Sequence, residues 1–293
     1  MIISHLLGGL GNQMFQYAAG RALSERLAQK LLLDVNDFQA YKLHQGYELN
    51  RIFGIETTLA TLSDSEQILR WRANKVAKKV LKRKLFTSIR GNQLIFEPHF
   101  HYWGGLSDLQ AEDAYLYGYW QSEKYFQNAR ELIRRDFIFK EPLESENLVL
   151  QESMKAHNAI SIHIRRGDYL SNLKNQKIFH LIPVEYYWKA IRYMSERISS
   201  PHFYIFSDDT LWAKNSLPIS YPCTYVEHNR GLSSYRDMQL MSKCQHHIIA
   251  NSSFSWWGAW LNPAPEKIVV APSQWFKNHF SDQDLMPEKW VRL

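Results

Sequence analysis

The stretch Ala159-Ile160-Ser161-Ile162-His163-Ile164-Arg165-Arg166-Gly167-Asp168-Tyr169 decides the fold that this sequence predicts. Its apolar start is typical of a buried strand, and the strand runs directly into two arginines, a glycine and a carboxylate. Two adjacent arginines at a strand end suit a bidentate grip on phosphate. Asp168 can then orient an arginine or accept a proton. A surface turn held by an Arg–Asp ion pair is the alternative, and these residues alone do not decide between the two.

The same pattern recurs after this strand. A strand over 202–206 ends in Ser207-Asp208-Asp209, and a strand over 247–250 ends in Asn251-Ser252-Ser253. Helical segments separate the strands, and this alternation predicts an α/β fold with a parallel sheet. Ligands of such sheets bind beyond the carboxyl ends of the strands, where all these polar residues fall. The sequence therefore predicts one site at this edge.

The N-terminal half opens as a βαβ unit: strand 2–7, a glycine loop, helix 13–29 and strand 31–35. The loop Gly8-Gly9-Leu10-Gly11-Asn12-Gln13 is not a dinucleotide fingerprint, because the third glycine of that motif would fall at Met14. Asn12, Gln13 and backbone N–H groups are then expected to face a ligand. A glycine turn used only for packing remains the alternative. Residues 40–150 are less regular, and the polar run 140–146 is typical of a linker.

Composition narrows the class of protein. The 293 residues are 45% hydrophobic and 22% charged, which is typical of a globular chain. No apolar run approaches the ~20 residues of a membrane span, and the first residues lack the pattern of a secretory signal. The two cysteines, Cys223 and Cys244, have neither a disulfide nor a zinc spacing. We therefore expect a cytoplasmic protein.

The net charge of +6 comes from one segment, because residues 70–90 hold nine Lys or Arg and no acid, and the rest of the chain sums to −3. Apolar residues interleave with these cations at roughly helical spacing. The segment predicts a basic amphipathic helix, and such a helix can lie on an anionic membrane surface. A solvated helix packed on its own domain is the alternative. Nucleic acid is a weaker candidate, because no nucleic-acid-binding motif accompanies the charge.

Three further features concern binding chemistry. Ser252 and its neighbours precede an apolar helix, and such an N-terminus with hydroxyl groups is suited to an anion. Asp208 and Asp209 suit either Mg²⁺ or the polar edge of a nucleoside. His163 lies on a buried strand, where a histidine is commonly part of the core. The acids in Asp282-Gln283-Asp284 follow no predicted strand, so they carry little weight as a metal site.

Five segments together closely resemble the bacterial α-1,2-fucosyltransferases of glycosyltransferase family 11. They occur in the family's order and span nearly the whole chain: Gly8–Gln16, Gly118-Tyr119-Trp120-Gln121-Ser122-Glu123, His163–Tyr169, Phe206-Ser207-Asp208-Asp209, and Ile249–Gly258. The His-x-Arg-Arg-x-Asp pattern is shared with α-1,6- and protein O-fucosyltransferases, and it favours GDP-fucose as the donor. The Asn251–Gly258 segment points more narrowly to the α-1,2 group. The basic segment matches no motif of the family.

The resemblance implies a GT-B-like fold of two Rossmann-like halves whose parallel sheets face a cleft. Residues 1–150 would form the acceptor-side domain and residues 151–293 the GDP-fucose-binding domain. The implied reaction is the inverting, metal-independent transfer of L-fucose from GDP-β-L-fucose to the 2-hydroxyl of a terminal β-galactoside. No cofactor is expected, since GDP-fucose is a co-substrate.

The resemblance also assigns roles to individual residues. Arg165 would pair with the β-phosphate, supported by Arg166. His163 and an acid from the pair Asp208 and Asp209 would hold ribose or guanine. The pyrophosphate would be bound by groups of Asn251, Ser252, Ser253 and Phe254.

In the other half, the loop containing Gly9 and Gln13 would place Gly11 and Asn12 at the reacting centre and the acceptor. Asp168 is the first candidate for the base that inversion requires. The competing interpretation is that Asp168 orients the arginines and that the base lies elsewhere or is not needed.

We therefore predict a fucosyltransferase that modifies an O-antigen or capsule repeat. Its acceptor would be lipid-linked at the inner face of the cytoplasmic membrane, which gives the basic segment a purpose. Two alternatives remain open. One is a transferase that uses a UDP-sugar and Mg²⁺, and the other is a non-catalytic glycan-binding protein, suggested by an aromatic content of 14%.

Overall fold

The computed structural model describes residues 1–39, 45–277 and 281–293, without the side chains of Lys84, Thr87, Asp168 and Lys174. The chain divides into two compact units. The first comprises Met1–Lys140 with Gln283–Leu285, and the second comprises Glu141–Asp282 with Met286–Leu293. The division coincides with the start of the polar run 140–146. The predicted boundary at residue 150 lies inside a helix, Ser145–Ala156, that belongs to the second unit.

The first unit contains a four-stranded parallel sheet. Its strands are β1 (Ile2–His5), β2 (Leu31–Asp34), β3 (Leu94–Phe96) and β4 (Ala114–Tyr117), in the order β2-β1-β4-β3. Its helices are α1 (Leu10–Arg26), α2 (Leu49–Phe53), α3 (Leu62–Leu69), α4 (Lys75–Leu81), α5 (Gly104–Ser107) and α6 (Arg130–Asp136). Helix α1 lies close against β1, because a Cβ at Gly20 would come within 2.9 Å of the Ser4 Cβ.

The second unit contains a six-stranded parallel sheet. Its strands are β5 (Asn158–Ile164), β6 (Pro201–Ser207), β7 (Cys223–Val226), β8 (His246–Ile248), β9 (Val269–Ala271) and β10 (Val291–Arg292). Its helices are α7 (Ser145–Ala156), α8 (Gly167–Ser171), α9 (Leu173–Ile178), α10 (Val184–Ser195), α11 (Thr210–Ser216), α12 (Tyr235–Met241) and α13 (Ser253–Leu261). The order β10-β9-β8-β5-β6-β7 is that of the dinucleotide-binding folds, and its direction reverses between β5 and β8.

Strand β5 is apolar along most of its length because helices cover both faces of its sheet. Ile160, Ile162 and Ile164 pack into a cluster that includes Tyr187 of α10. Ala159 lies in a second cluster, which includes Met241 of α12. The predicted α/β class with parallel sheets is confirmed.

Two sequence interpretations need correction. Residues 70–90 do not form one amphipathic helix: the segment is divided into a 3-10 turn (Arg70–Ala73), the seven-residue α4 and a second 3-10 stretch (Lys84–Ile89). Asn74 interrupts the helical run because its side chain accepts a hydrogen bond from the Val76 N–H and caps α4. Strand β3 lies in the stretch that the sequence analysis left irregular. Among the described residues, no helix is both long enough and apolar enough to cross a bilayer.

Candidate active site

The turn after β5 is held by a carboxylate at the end of β6. Register pairs Ile164 with Ser207, so Arg165 and Asp208 follow on neighbouring strands. One oxygen of Asp208 lies 3.2 Å from the Arg165 guanidinium, and the carboxylate accepts hydrogen bonds from the N–H groups of Arg166 (2.8 Å) and Gly167 (3.1 Å). A Cβ at Gly167 would come within 3.2 Å of Asp208. Asp208 therefore shapes the turn and orients Arg165.

The second arginine of the pair is held by different groups. The Arg166 guanidinium lies 3.8 Å from the centre of the Trp212 ring, and its Nε is 3.8 Å from the Asp209 carboxylate. Asp209 also caps α11 by accepting a hydrogen bond from the Trp212 N–H at 3.1 Å. Trp212 was not predicted from the sequence, because its role depends on stacking rather than on a motif. Arg230, which donates to the Ser207 carbonyl at 3.3 Å, was not predicted either.

The end of β8 is tied to the turn after β5. The Tyr169 hydroxyl donates to the Asn251 carbonyl at 2.7 Å, which joins the two loops at the switch point of the sheet. The Asn251 amide donates to two further carbonyls, those of His180 and Trp275. Ser252 is the N-cap of α13, and its hydroxyl accepts from the Phe254 N–H at 3.3 Å. The arginine turn and the serine loop therefore belong to one site.

His163 lies on β5 just before this turn, with 5% of its surface exposed. Its ring centre is 5.8 Å from that of Phe254. Burial, together with the positive charge of Arg165, lowers the pKa of His163 to about 3. The imidazole is therefore neutral at physiological pH and carries one donor and one acceptor nitrogen.

Three buried polar atoms at this edge have no hydrogen-bond partner among the described residues: His163 Nδ1, Arg166 Nε and Asn251 Oδ1. Leaving a buried donor or acceptor unpaired costs about 1–3 kcal/mol. In proteins such an atom is paired by an ordered water, an ion or a ligand. Their position on both sides of the switch point indicates a polar ligand.

The acids at this edge of the second sheet already have partners within the protein. Asp208 and Asp209, which suited Mg²⁺ in the sequence analysis, each face an arginine, and their oxygens accept backbone N–H bonds. The acids of the 282–284 segment are likewise used internally: Asp282 binds Arg292 and the Trp275 N–H, and Asp284 binds Lys124. The side chain of Asp168 lies outside the described residues, so its assignment as the base stays a prediction.

In the first unit, the glycine loop lies between β1 and α1. Gly8 has φ +84°, and a Cβ there would come within 2.6 Å of the Asn12 side chain. Gly9 is the N-cap of α1, and Gly11 is buried in its first turn. Asn12 is partly exposed, and its Oδ1 accepts a hydrogen bond from Gln121 at 2.8 Å. The loop therefore presents Asn12 in a fixed orientation.

Gln13, which we expected to face a ligand, instead points into the protein. Its side chain is fully buried. The amide donates to the carbonyls of Gly8 (3.0 Å) and Gly46 (2.8 Å) and accepts from the Glu48 N–H (3.0 Å). Gln13 therefore supports the loop from below, because all its hydrogen-bonding groups are used.

A charged cluster at the same edge of the first sheet was missed, although its members end three strands. His5, the last residue of β1, lies 3.2 Å from Asp37 and stacks on Tyr117 of β4. Asp34, the last residue of β2, accepts a hydrogen bond from the Tyr115 hydroxyl and lies 3.5 Å from Lys78. The signal in the sequence was a polar residue near the end of each predicted strand, His5 in 2–7 and Asp34 in 31–35.

The family model of glycosyl transferase family 11 matches residues 3–293. The chain belongs to this family. An alpha-1,2-colitosyltransferase of Escherichia coli is 37% identical over 302 residues, with 100% of this chain and 99% of the relative covered. The O-antigen biosynthesis glycosyltransferase WbnK of the same species is 35% identical, with 99% of each chain covered. A human galactoside alpha-(1,2)-fucosyltransferase is 25% identical over 199 residues, which is 64% of this chain and 54% of that protein. The resemblance inferred from the motifs is confirmed, and the protein is a glycosyltransferase.

Solved structures share the fold. NodZ α-1,6-fucosyltransferase soaked with GDP-fucose has a TM-score of 0.50 at 17% identity and covers 89% of this chain and 92% of its own. A mutant of Arabidopsis thaliana FUT1 in complex with GDP has a TM-score of 0.51 at 10% identity, with 98% of this chain and 72% of its own covered. These likenesses confirm the predicted GT-B-like fold class.

Proposed function

We propose that this glycosyltransferase transfers L-fucose from GDP-β-L-fucose to the 2-hydroxyl of a terminal β-galactoside, with inversion and without a metal ion. The proposal rests mainly on the arginine pair at the switch point of the second sheet, where three buried polar atoms, one of them Arg166 Nε, have no hydrogen-bond partner in the described part of the chain. Two relatives that match nearly the whole chain have names that include α-1,2 transfer or O-antigen biosynthesis. An O-antigen or capsule repeat is accordingly the proposed acceptor.

Charge separation in the transition state explains what the arginines do. As the bond to fucose breaks, negative charge builds on the β-phosphate of GDP. A preorganised donor at such an oxygen contributes about 3–4 kcal/mol. Asp208 fixes the direction of Arg165, and Trp212 fixes that of Arg166, so little reorganisation is needed when the charge develops. The two guanidinium groups take the place that a divalent metal has in other transferases.

The remaining residues of the second unit complete the donor site in this proposal. His163 Nδ1 and Asn251 Oδ1 pair with polar groups of the nucleotide, because both atoms are buried and lack a partner among the residues that the structure describes. Ser252, Ser253 and the backbone at Phe254 contact the pyrophosphate. Asp208 and Asp209 act mainly through the arginines, and Asp209 remains available to a ribose hydroxyl through its exposed face.

For the acceptor, we assign Asn12 to the reacting hydroxyl and the backbone around Gly9 and Gly11 to the wall of its site. Asp168 is the proposed base. Asp168→Asn distinguishes the two roles: we expect a loss of at least about a hundredfold in kcat if it takes the proton. If it only orients the arginines, the loss is smaller and appears as a weaker affinity for GDP.

Colitose is a second candidate for the transferred sugar, because the alpha-1,2-colitosyltransferase is 37% identical over the whole chain. Colitose is fucose without its 3-hydroxyl. A site that hydrogen-bonds this hydroxyl rejects the deoxy sugar strongly, whereas a site with an apolar wall there accepts both.

The experiment compares GDP-fucose, GDP-colitose and UDP-galactose as donors on a panel of β-galactosides, with and without EDTA, followed by linkage analysis of the product. We expect α-1,2-fucosylation that EDTA does not reduce. Transfer from GDP-colitose alone would replace fucose by colitose in the proposal. Transfer only from UDP-galactose, with loss of activity in EDTA, would contradict it.

We also propose that the acceptor is lipid-linked at the inner face of the cytoplasmic membrane and that α4 approaches the bilayer. Lys78 and Leu81 face the protein, so Val76, Lys79 and Val80 lie together on the outward face. Val76 is 70% exposed, and Leu85 beyond the helix is 85% exposed. An exposed apolar and cationic face is suited to anionic lipid.

Vesicle flotation tests this surface. We expect binding to vesicles of phosphatidylglycerol and phosphatidylcholine, weaker binding to phosphatidylcholine alone, and a loss of binding in Lys79→Glu. The matched control is Lys189→Glu, which reverses an exposed charge on α10 of the second unit. Binding that does not depend on anionic lipid would contradict the proposal that the outward face of α4 approaches the membrane.

A further inference from the structure

The segment 118–122 follows β4 and belongs to one of the five motifs that resemble the family. It is anchored at both ends. The Gln16 amide donates to the Gly118 carbonyl at 3.1 Å, and the Ser122 hydroxyl donates to the Asp284 carbonyl at 2.7 Å. Between these anchors, Trp120 is fully buried and has φ +55°. A left-handed backbone at a tryptophan is costly, so the surrounding contacts must hold it there.

Glu97 is the main contact that holds this backbone. It directly follows β3, the neighbour of β4, and its two carboxylate oxygens accept consecutive N–H groups, those of Tyr119 at 2.7 Å and Trp120 at 2.9 Å. Gly118 allows the approach, because a Cβ there would lie 2.4 Å from the Glu97 Cβ. Hydrogen bonds to an ionised carboxylate are stronger than neutral ones. Glu97 therefore fixes the strained turn at two adjacent points.

Gln121, the next residue, connects this turn to the glycine loop. Gln121 is buried with 7% exposure, and its amide donates to Asn12 Oδ1 at 2.8 Å. The contacts run from Glu97 through the turn to Gln121 and then to Asn12. The position of the Asn12 side chain consequently depends on a carboxylate at the far edge of the sheet.

We propose that Glu97 is a positioning residue that sets the orientation of Asn12 through the 118–122 turn and Gln121. This inference rests on the proposed function only in taking Asn12 as the residue that meets the acceptor hydroxyl. Glu97 itself is not expected to contact either substrate.

The arrangement makes acceptor use sensitive to pH. Burial raises the pKa of Glu97 to about 7, opposed by the two N–H bonds and by Lys82, while Tyr125 also faces this carboxyl. A protonated carboxyl turns one acceptor oxygen into a donor, so one of the two N–H bonds is lost below about pH 7. The raised pKa also means that folding is favoured when Glu97 is protonated, so its contribution to stability falls as the pH rises from 4.5, the ordinary pKa of a glutamate, to about 7. Stability and acceptor binding thus move in opposite directions with pH.

The test uses Glu97→Gln and Gln121→Leu, with Glu112→Gln as the control because Glu112 is an exposed acid of the same unit. For both variants we expect an increase of about tenfold in the acceptor KM, the size that one lost buried hydrogen bond gives. Hydrolysis of the donor without acceptor should stay at the wild-type rate. The wild-type acceptor KM should rise as pH falls through 7, and Glu97→Gln should remove this dependence.

An unchanged acceptor KM in Gln121→Leu would overturn the inference, and so would an equal loss of donor hydrolysis and transfer in Glu97→Gln. The assays use whichever sugar nucleotide the wild-type enzyme accepts, so a failure of the fucose assignment remains distinguishable. Amide hydrogen exchange at Tyr119 and Trp120 supplies a second readout. Exchange at these amides should accelerate in Glu97→Gln. Unaltered protection would contradict the proposal that Glu97 holds this turn.

Discussion

The carboxyl edges of the two sheets carry charge in different ways. In the first unit, cations and acids neutralise each other: Lys75 binds Asp37 at 2.6 Å, and Lys78 lies beside Asp34. In the second unit, Arg165 and Arg166 also face acids, but three buried polar atoms at that edge, against His5 Nδ1 at the first, have no hydrogen-bond partner among the described residues. The balanced edge of the first unit, whose lysines are bound to acids, suits a structural role, whereas two guanidinium groups among several unpaired polar atoms suit a diphosphate. The difference separates a structural ion cluster from a ligand site.

Breaking the balanced edge should have the largest effect, and it should be on stability. Lys78→Met leaves Asp34 buried without its cation, and removal of one partner of a buried pair costs about 3–5 kcal/mol. We expect a lower free energy of unfolding in urea, with GDP affinity unchanged at temperatures where the variant is folded. The double variant with Asp34→Asn should recover part of the loss. Weaker GDP binding by folded Lys78→Met would contradict the proposal that the first edge is structural and only the second binds the nucleotide.

Breaking the second edge should affect catalysis instead. Arg165→Ala removes a donor to the leaving phosphate, and we expect kcat to fall by about 10²–10³-fold with little change in melting temperature. Arg192→Ala, which removes an exposed arginine of α10, is the control. Retention of a tenth of the wild-type rate would contradict the assigned role of Arg165.

Breaking the hydrogen bond that joins the two loops at the switch point should have a smaller effect, and we expect it on GDP affinity. Tyr169→Phe removes one hydrogen bond, to the Asn251 carbonyl, which is worth about 1 kcal/mol. GDP affinity measured by calorimetry should weaken by about fivefold. Tyr193→Phe is a suitable control, because Tyr193 lies on α10, where its ring stacks on Arg197. Identical affinities would show that the loops are positioned without this bond.

The smallest expected effect is on the protonation state of His163. His163 should stay neutral from pH 8 down to about 5, because burial and Arg165 lower its pKa to about 3. NMR of the imidazole nitrogens measures this directly, and a titration near the ordinary value of about 6.5 would contradict the burial described. Since the folded-state pKa is depressed, His163 contributes stability above pH 6.5 and loses it as the pH falls toward 3.

The sequence predicted the second sheet well, because long apolar runs followed by polar clusters are strong signals. Strand β5 was expected over 159–164 and is found over Asn158–Ile164. Strand β3 has three residues and was missed, since so short a run has no period to detect. The basic segment was over-interpreted as one helix because its spacing is nearly helical. The turn around Asn74 interrupts that pattern.

Only those residues of the candidate site that come after a predicted strand could be predicted from the sequence. Arg165 and Asp208 could be found because they follow strands directly, and Asn251 because it comes three residues after β8. Trp212 and Glu97 act across the sheet, through stacking and through hydrogen bonds to a neighbouring turn. Such contacts depend on strand order, which the amino-acid pattern did not reveal. Gln13 shows the reverse: a polar residue in a glycine loop is fully buried when its amide completes the loop itself.

The strand order of the second unit has a consequence for how the protein is made. Strands β6 and β7 extend the sheet on one side of β5, and only later in the chain does β8 close the other side. A nascent chain that ends before residue 246 already contains both arginines but lacks β8 and the loop after it, which carries Asn251. Contacts between distant parts of a chain form slowly. Nucleotide binding should therefore be among the last properties to return on refolding, and GDP added at that stage would trap the finished fold by mass action.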